Sequence, residues 1–315
     1  MKPIPTLKLA RGIRGFTLVE MITAMAITVI ILIVLLSITG IAFDTWGSNR
    51  DRVRAARQAK IALDQMARDF ESFQVRSGNG FEWLYARVDE EVGGAQVRGG
   101  NVAQLVFFTS ATDRYNGQIR IENVDRGGDV SAVGYRLVYK DPIENNNGEF
   151  SVFALYRNLV DPDASFEELL GREELLEPGG VSGPFEEYMN EVDGISNFLS
   201  ENIYDITLGF LVEYKEVVEG RLVTKHERLS IIDTSGEGAV EELRVKGNGI
   251  FAEPSREDAE LIQNGRLVSV DISITVLTDT AMDIIQADQL SRAQFEKFIK
   301  KNSFRHAKTV ILPHS

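Results

Sequence analysis

The stretch Arg14-Gly15-Phe16-Thr17-Leu18-Val19-Glu20, followed directly by MITAMAITVIILIVLLSITGIAF over residues 21–43, decides how the rest of the chain is read. From Phe16 to Phe43 the one charged side chain is Glu20, and residues 21–43 carry none. That run passes the ~18-residue threshold for a membrane-spanning helix, and at ~1.5 Å per residue it covers the ~30 Å hydrocarbon core of a bilayer. Ahead of it, residues 1–15 hold Lys2, Lys8, Arg11 and Arg14 and no acid. A soluble cytoplasmic enzyme does not need such a segment.

Three accounts of this N-terminus compete. A secretory signal peptide explains the basic start, and Gly40-Ile41-Ala42 offers a small-x-small cleavage site. Its apolar region should span only about 7–15 residues, however. A plain signal anchor explains the length and the basic flank. It gives no reason for a carboxylate at the edge of the apolar run. The third account covers every feature: residues 14–20 resemble the processing site of type IV prepilins and type II secretion pseudopilins. The resemblance implies cleavage by a prepilin peptidase between Gly15 and Phe16, N-methylation of Phe16, and an assembly role for Glu20, the fifth mature residue. The physical chemistry agrees. Glycine has no Cβ and lets an extended chain into a protease cleft. A carboxylate beside apolar membrane is costly and calls for a partner, which the N-terminal amine of a neighbouring subunit would supply. The simpler reading of Glu20 is a capping box, because Thr17-x-x-Glu20 has the spacing of a helix start. The far flank, with Arg50, Arg52, Arg54, Arg57 and Lys60 against Asp44 and Asp51, is also basic. Orientation therefore rests on the leader.

Outward from the apolar run the helical pattern continues. Val53, Ala56, Leu63, Met66, Phe70 and Phe73 recur at three- and four-residue steps, which predicts one helix from about 16 to about 76. Gly40 and Gly47 are the expected places for it to bend or unwind. Ser77-Gly78-Asn79-Gly80 reads as the stop. Strands are expected at 104–109, 130–140 and 150–157, the last two joined by a hairpin loop at 144–148. A further hairpin is expected from 206–217 and 222–231 around Glu219-Gly220, with strands at 267–277 and 308–312. Helices are expected at 166–176 and 283–300. The expectation is an α+β, pilin-like fold: a basic leader (1–15), the transmembrane half of a long helix (16–43), its amphipathic half (44–76), and a β-rich extracytoplasmic domain (77–315).

The later sequence extends the resemblance. Leu199-Ser200-Glu201-Asn202-Ile203 leading into Leu208-Gly209-Phe210-Leu211-Val212-Glu213-Tyr214 is similar to a stretch of J-type minor pseudopilins. Arg68-Asp69-Phe70, Tyr135-Arg136-Leu137, Leu155-Tyr156-Arg157 and the strand at 270–277 fall in the matching order. That order, with Phe107-Phe108-Thr109 and Ala132-Val133-Gly134-Tyr135, also resembles pilin-like proteins of verrucomicrobial gene cassettes. The insertions at 161–194 and 234–264 exceed the family pattern. The resemblance implies a minor pseudopilin of a type II secretion apparatus, inserted in the inner membrane with its head in the periplasm. Its partners would be other pseudopilins or minor pilins, through the first helix, and the inner-membrane assembly platform. A minor pilin of a type IV pilus shares the same N-terminus, and a signal-anchored extracytoplasmic enzyme or sensor is the alternative of another class.

Composition narrows the rest. With 34 basic and 47 acidic residues the chain carries −13, and loss of the leader leaves 30 basic residues and −17, so no nucleic-acid partner is expected. Cysteine is absent, which removes disulfides and thiol chemistry. The three histidines, His226, His306 and His314, form no metal-binding motif. Gly247-Asn248-Gly249-Ile250-Phe251-Ala252, with Asp271 downstream, matches a dinucleotide fingerprint. Yet the preceding 241–246 segment is too polar for a buried parallel strand, so a turn is the better account. No cofactor is assigned. Calcium is conceivable at Asp141, Glu144, Asn145, Asn147 and Glu149, or at Asp161 with Asp163, but neither set has EF-hand spacing.

Overall fold

The structure, a computed structural model, describes residues 16–88, 92, 101, 103–110, 129–143, 150–177, 183–190, 194–232, 238–254, 259–287 and 292–313. Helix α1 (Leu18–Glu71) is followed by β1 (Glu82–Val88), β2 (Ala103–Thr109), β3 (Ser131–Lys140) and β4 (Val152–Leu159). Next come α2 (Pro162–Ala164), which runs into a π-helical turn over Ser165–Leu169, then α3 (Glu186–Asn190) and a 3-10 turn over Ile195–Asn197. Strands β5 (Phe198–Glu201), β6 (Ile203–Val218), β7 (Arg221–Ile231), β8 (Ala239–Val240), β9 (Glu242–Lys246) and β10 (Gly249–Glu253) precede α4 (Ala259–Gln263). The chain continues through β11 (Arg266–Leu277), α5 (Asp279–Gln286), α6 (Arg292–Asn302) and β12 (Ser303–Ile311). This is an α+β fold of pilin-like arrangement, a long apolar N-terminal helix followed by largely antiparallel sheets. Two compact units are present, Met1–Arg50 and Asp51–Ser315.

In the first unit the helix passes through Gly40 and Gly47 without unwinding. Its side chains are exposed along the apolar run, as a helix solvated by lipid requires. The hydroxyls of Thr23, Thr28 and Thr39 donate to the carbonyls of Val19, Ala24 and Leu35, four residues back, at 2.7, 2.8 and 2.8 Å. Each polar side chain so bonded is satisfied within the helix, the condition for placing it in hydrocarbon.

In the second unit, one sheet has the order β10-β9-β1-β2-β3-β4-β5 and the other β12-β11-β6-β7-β8; among the described residues only β7 and β8 pair in parallel. The chain crosses from the first sheet to the second at Asn202. Its φ of +61° lies in the left-handed region that asparagine tolerates better than most side chains. The β6–β7 hairpin closes on Glu219-Gly220, both at positive φ (52° and 77°), the two-residue turn whose twist matches the flanking strands. Residues 51–71 of α1 bury Ala55, Ala59, Ala62, Leu63, Met66, Ala67 and Phe70 in a core shared by both sheets. Phe70 joins them: it stacks on Phe107 of β2 at 4.4 Å and meets Phe210 of β6 edge-on at 6.2 Å.

Several expectations need correction. Helix α1 ends at Glu71, short of residue 76. Beyond it the chain turns extended to pair with the end of β2, through a Phe73–Thr109 bridge and the Gln74 N–H on the Phe108 carbonyl at 2.9 Å. Val53 is exposed and the core face is led by alanines, whose small side chains let the helix approach the sheets. The helix expected at 166–176 is a short helical turn ending at Leu169. The one expected at 283–300 is found as α5 and α6 on either side of residues 288–291, which lie outside the described residues. Strands β1, β5, β8, β9 and β10 are additional to those expected from the sequence.

The seven-stranded sheet is buried on both faces. Leu84, Ala86, Leu105 and Phe107 face the core shared with α1. Trp83, Tyr85, Val106 and Phe108 face Val160 and, from the 161–194 insertion, Leu169, Leu175, Leu176, Phe185 and Met189, so that insertion is a cover for the sheet. Gly134 of β3 marks how closely it sits: a Cβ there would lie 2.8 Å from Phe185 Cε1 and 3.0 Å from Met189 Sδ.

Candidate functional site

Gly15 lies outside the described residues. Phe16 is exposed at the start of the described chain, immediately before α1. Thr17 and Glu20 form a capping box: the Thr17 N–H and Oγ1 each donate to Glu20 Oε2 at 2.9 Å, and the Glu20 N–H donates to Thr17 Oγ1 at 3.2 Å. Within one chain, then, the simpler reading of the spacing is realised. The carboxylate is exposed as well as capped, so its charge remains available to a partner.

Three of the sequence fragments that carried the later resemblance meet in the second unit. Asp69 of α1 and Arg157 of β4 form a buried bidentate pair, Nε to Oδ2 and Nη2 to Oδ1 both at 2.7 Å, with side chains 0% and 1% exposed. Tyr135 of β3 donates its hydroxyl to Asp69 Oδ2, and Gln65 Nε2 donates to Oδ1 at 3.2 Å. Thr109 at the end of β2 donates to the Asp69 carbonyl at 2.8 Å. Burial first, and the Asp69 charge second, push the Tyr135 hydroxyl well above the ordinary tyrosine range, so it is held as a donor. The pair pins the end of α1 to three strands.

A second buried pair was not foreseen. Glu82 of β1 accepts from Arg244 Nη1 at 2.9 Å and from the Leu175 N–H at 2.5 Å, which ties the insertion to the sheet. Burial raises the Glu82 pKa, against the opposing pull of the Leu175 N–H and the Arg244 charge. Arg244 also stacks over the Tyr85 ring, 4.4 Å from its centroid. The signal was present in 242–246: Leu243 and Val245 point to one core while Glu242 and Arg244 serve the other face of the same strand.

Three cations of the basic flank, Arg52, Arg54 and Lys60, are engaged within the head. Arg54 bridges Glu201 at 2.9 Å and Asp279 at 2.7 Å, and Arg52 lies over the Phe304 ring at 5.4 Å. Lys60 and Lys308 clasp Asp64 from opposite sides at 2.8 and 3.0 Å, which joins α1 to β12. The Lys60 hydrogen bond chiefly, then that of Lys308, holds the Asp64 carboxyl at about 2 against an ordinary 3.8. A depressed carboxylate stabilises the fold above its unfolded pKa, and that contribution is lost as pH falls through about 2. Carboxyl resonances followed by NMR should therefore give an Asp64 midpoint near 2, and Lys60→Ala and Lys308→Ala should each raise it. An Asp64 midpoint at the ordinary value would contradict the clasp.

The turn preferred over a dinucleotide fingerprint is what the structure contains. β9 and β10 are an antiparallel hairpin with Gly247-Asn248 as its turn, so no helix receives a pyrophosphate there, and Asp271 pairs with Arg228 at 3.1 Å. Of the calcium candidates, Glu144, Asn145, Asn147 and Glu149 lie outside the described residues, as does the hairpin loop at 144–148. Asp141 accepts from the Ile143 N–H at 2.9 Å and Asp161 caps α2 through the Ala164 N–H at 2.8 Å. Among the described residues no cluster of histidines and acids is placed to hold a metal ion.

Residues 10–36 match the prokaryotic N-terminal methylation motif. No curated protein and no solved structure matches the chain. The motif, set at the head of an apolar helix long enough to cross a bilayer, supports a membrane-anchored protein of the type IV pilin and pseudopilin kind. It is a signal for processing by a prepilin peptidase and for assembly with other pilins, not a catalytic site.

Proposed function

We propose that the chain is a minor pseudopilin of a type II secretion apparatus. It is cut between Gly15 and Phe16, methylated on Phe16, and held in the inner membrane by residues 16–43 with its head in the periplasm. From there the assembly platform draws it into a short pseudopilus, near the tip, beside other pseudopilins. The observation that carries this reading is the methylation motif over residues 10–36 running directly into an apolar helix that precedes an α+β head. The placement among J-type subunits rests on the order of the Asp69, Tyr135 and Arg157 fragments along the sequence. Glu20 neutralises the Phe16 amine of a neighbouring subunit as the helix leaves the lipid.

Mass spectrometry of the mature N-terminus tests the proposal. A terminal peptide beginning with N-methylated Phe16 is expected, and an intact Met1 would overturn it in favour of a signal anchor. Co-purification then separates the two assembly classes, with secretion-platform components expected and pilus components the contrary result.

A further inference from the structure

Between the last residue of the apolar run, Phe43, and the end of the first compact unit, Arg50, α1 carries one aromatic and one cation on a common face. Trp46 and Arg50 are four residues apart, so at ~100° per residue they stand ~40° apart round the helix. Trp46 is 66% exposed. Arg50 is exposed too, and among the described residues it has no hydrogen-bond or ion-pair partner. An exposed arginine one turn beyond an exposed indole, just past a membrane span, is placed to meet lipid headgroups.

We infer that Trp46 and Arg50 form a headgroup anchor, with the indole at the hydrocarbon boundary and the guanidinium on the phosphodiester oxygens of bilayer phospholipids. The inference rests on the membrane-spanning part of the proposed function. Trp46 lies ~4.5 Å and Arg50 ~10 Å beyond Phe43 along the helix axis. The headgroup layer is ~5–7 Å deep on each side of the hydrocarbon, and amphipathic tryptophans collect in it. Helical side chains lean toward the helix N-terminus, here back toward the bilayer. The long Arg50 side chain therefore reaches into the layer although its Cα stands just outside, and its planar fork suits phosphate oxygens. Of the two nearby acids, Asp44 is ~200° round the helix from Trp46, and Asp51, ~100° round from Arg50, accepts from Thr280 Oγ1 at 2.7 Å.

The anchor also sets the depth of the other end. With Phe43 at the far boundary, a ~30 Å core takes ~20 residues and reaches back to about Ala24. Glu20 then stands ~6 Å outside the near boundary, among headgroups rather than in hydrocarbon. Drawing the subunit out of the membrane must detach Trp46 and Arg50 from the lipid surface, so the anchor resists extraction until assembly begins.

The sequence supplies its own probes. Its other tryptophan, Trp83, is 4% exposed inside the head, and the absence of cysteine allows one labelled site to be introduced. The full chain is reconstituted in phosphatidylethanolamine–phosphatidylglycerol vesicles containing phospholipids brominated at shallow or deep acyl positions, with Trp46→Phe giving the Trp83 background. The anchor predicts blue-shifted Trp46 emission, quenched more by shallow than by deep bromines. Arg50→Glu should shift the emission red with loss of shallow quenching, and Arg50→Lys should retain both. A fluorophore on Ile31→Cys reports the span itself. Deep quenching at residue 31 with unquenched Trp46, or an Arg50→Glu variant identical to the parent, would overturn the anchor and leave the membrane reading intact. No deep quenching at residue 31 would overturn both.

Discussion

Arg157→Met should destabilise the folded head by about 3–5 kcal/mol, because it removes one partner of a buried ion pair and leaves the other charge in the core. Asp69 would keep its hydrogen bonds from Tyr135 and Gln65 but lose the counter-charge that both of its oxygens share. The surroundings offer no water-facing escape, since both side chains are almost wholly buried. The effect belongs to the broken pair and not to the pair's net worth, which desolvation reduces sharply. Accordingly the triple variant Asp69→Leu, Arg157→Met, Tyr135→Phe, which removes the charges and the orphaned hydroxyl together, should recover most of the loss. Denaturant unfolding of the full chain in detergent, followed by the emission of buried Trp83, measures both. A single variant within ~1 kcal/mol of the parent would mean that the pair is exposed to solvent in the folded head.

What could be read from the sequence follows from how many faces of each element are buried. The apolar run, strand β11 and the β6–β7 hairpin each carry a single clear period or turn signal, and all are found within a few residues of their expected limits. β1 was hidden for the opposite reason. Its run Trp83-Leu84-Tyr85-Ala86 is buried on both faces, so it shows no alternation, and the cover that buries its second face comes from an insertion 80 or more residues downstream. β9 was hidden because Glu242 and Arg244 look solvent-facing until Glu82 and Tyr85 are brought against them. Helix α1 stops early because pairing with β2 at Phe73 and Gln74 outweighs continued helical periodicity, a tertiary effect without a local signal. In the candidate site, Thr17-x-x-Glu20 was legible because its hydrogen bonds are local. The Asp69–Arg157 pair joins residues 88 apart in sequence, and only the order of short fragments hinted at it.

Replacing Gly15 with a bulky residue should leave the chain at full precursor length, with near-complete loss of the mature band on a gel. The protease must approach an extended backbone at that bond, and any Cβ substituent narrows the approach. Retaining the leader keeps Lys2, Lys8, Arg11 and Arg14 on the chain and denies Phe16 its free amine. A carboxylate that depends on such amines from neighbours loses its partner at the same stroke. Glu20→Ala isolates the second effect: trimming should proceed, while recovery of other pilins with the tagged chain should fall. That variant also breaks the capping box, worth about 0.5–2 kcal/mol to a helix start, so a capping defect alone could mimic an assembly defect. Thr17→Ala separates them, since it removes the hydroxyl that bonds Glu20 in both directions and leaves the charge in place. Lost recovery in Glu20→Ala with normal recovery in Thr17→Ala assigns the carboxylate to the contact between subunits. Equal loss in both returns it to capping the helix, and normal trimming of the Gly15 variant would remove the cleavage claim itself.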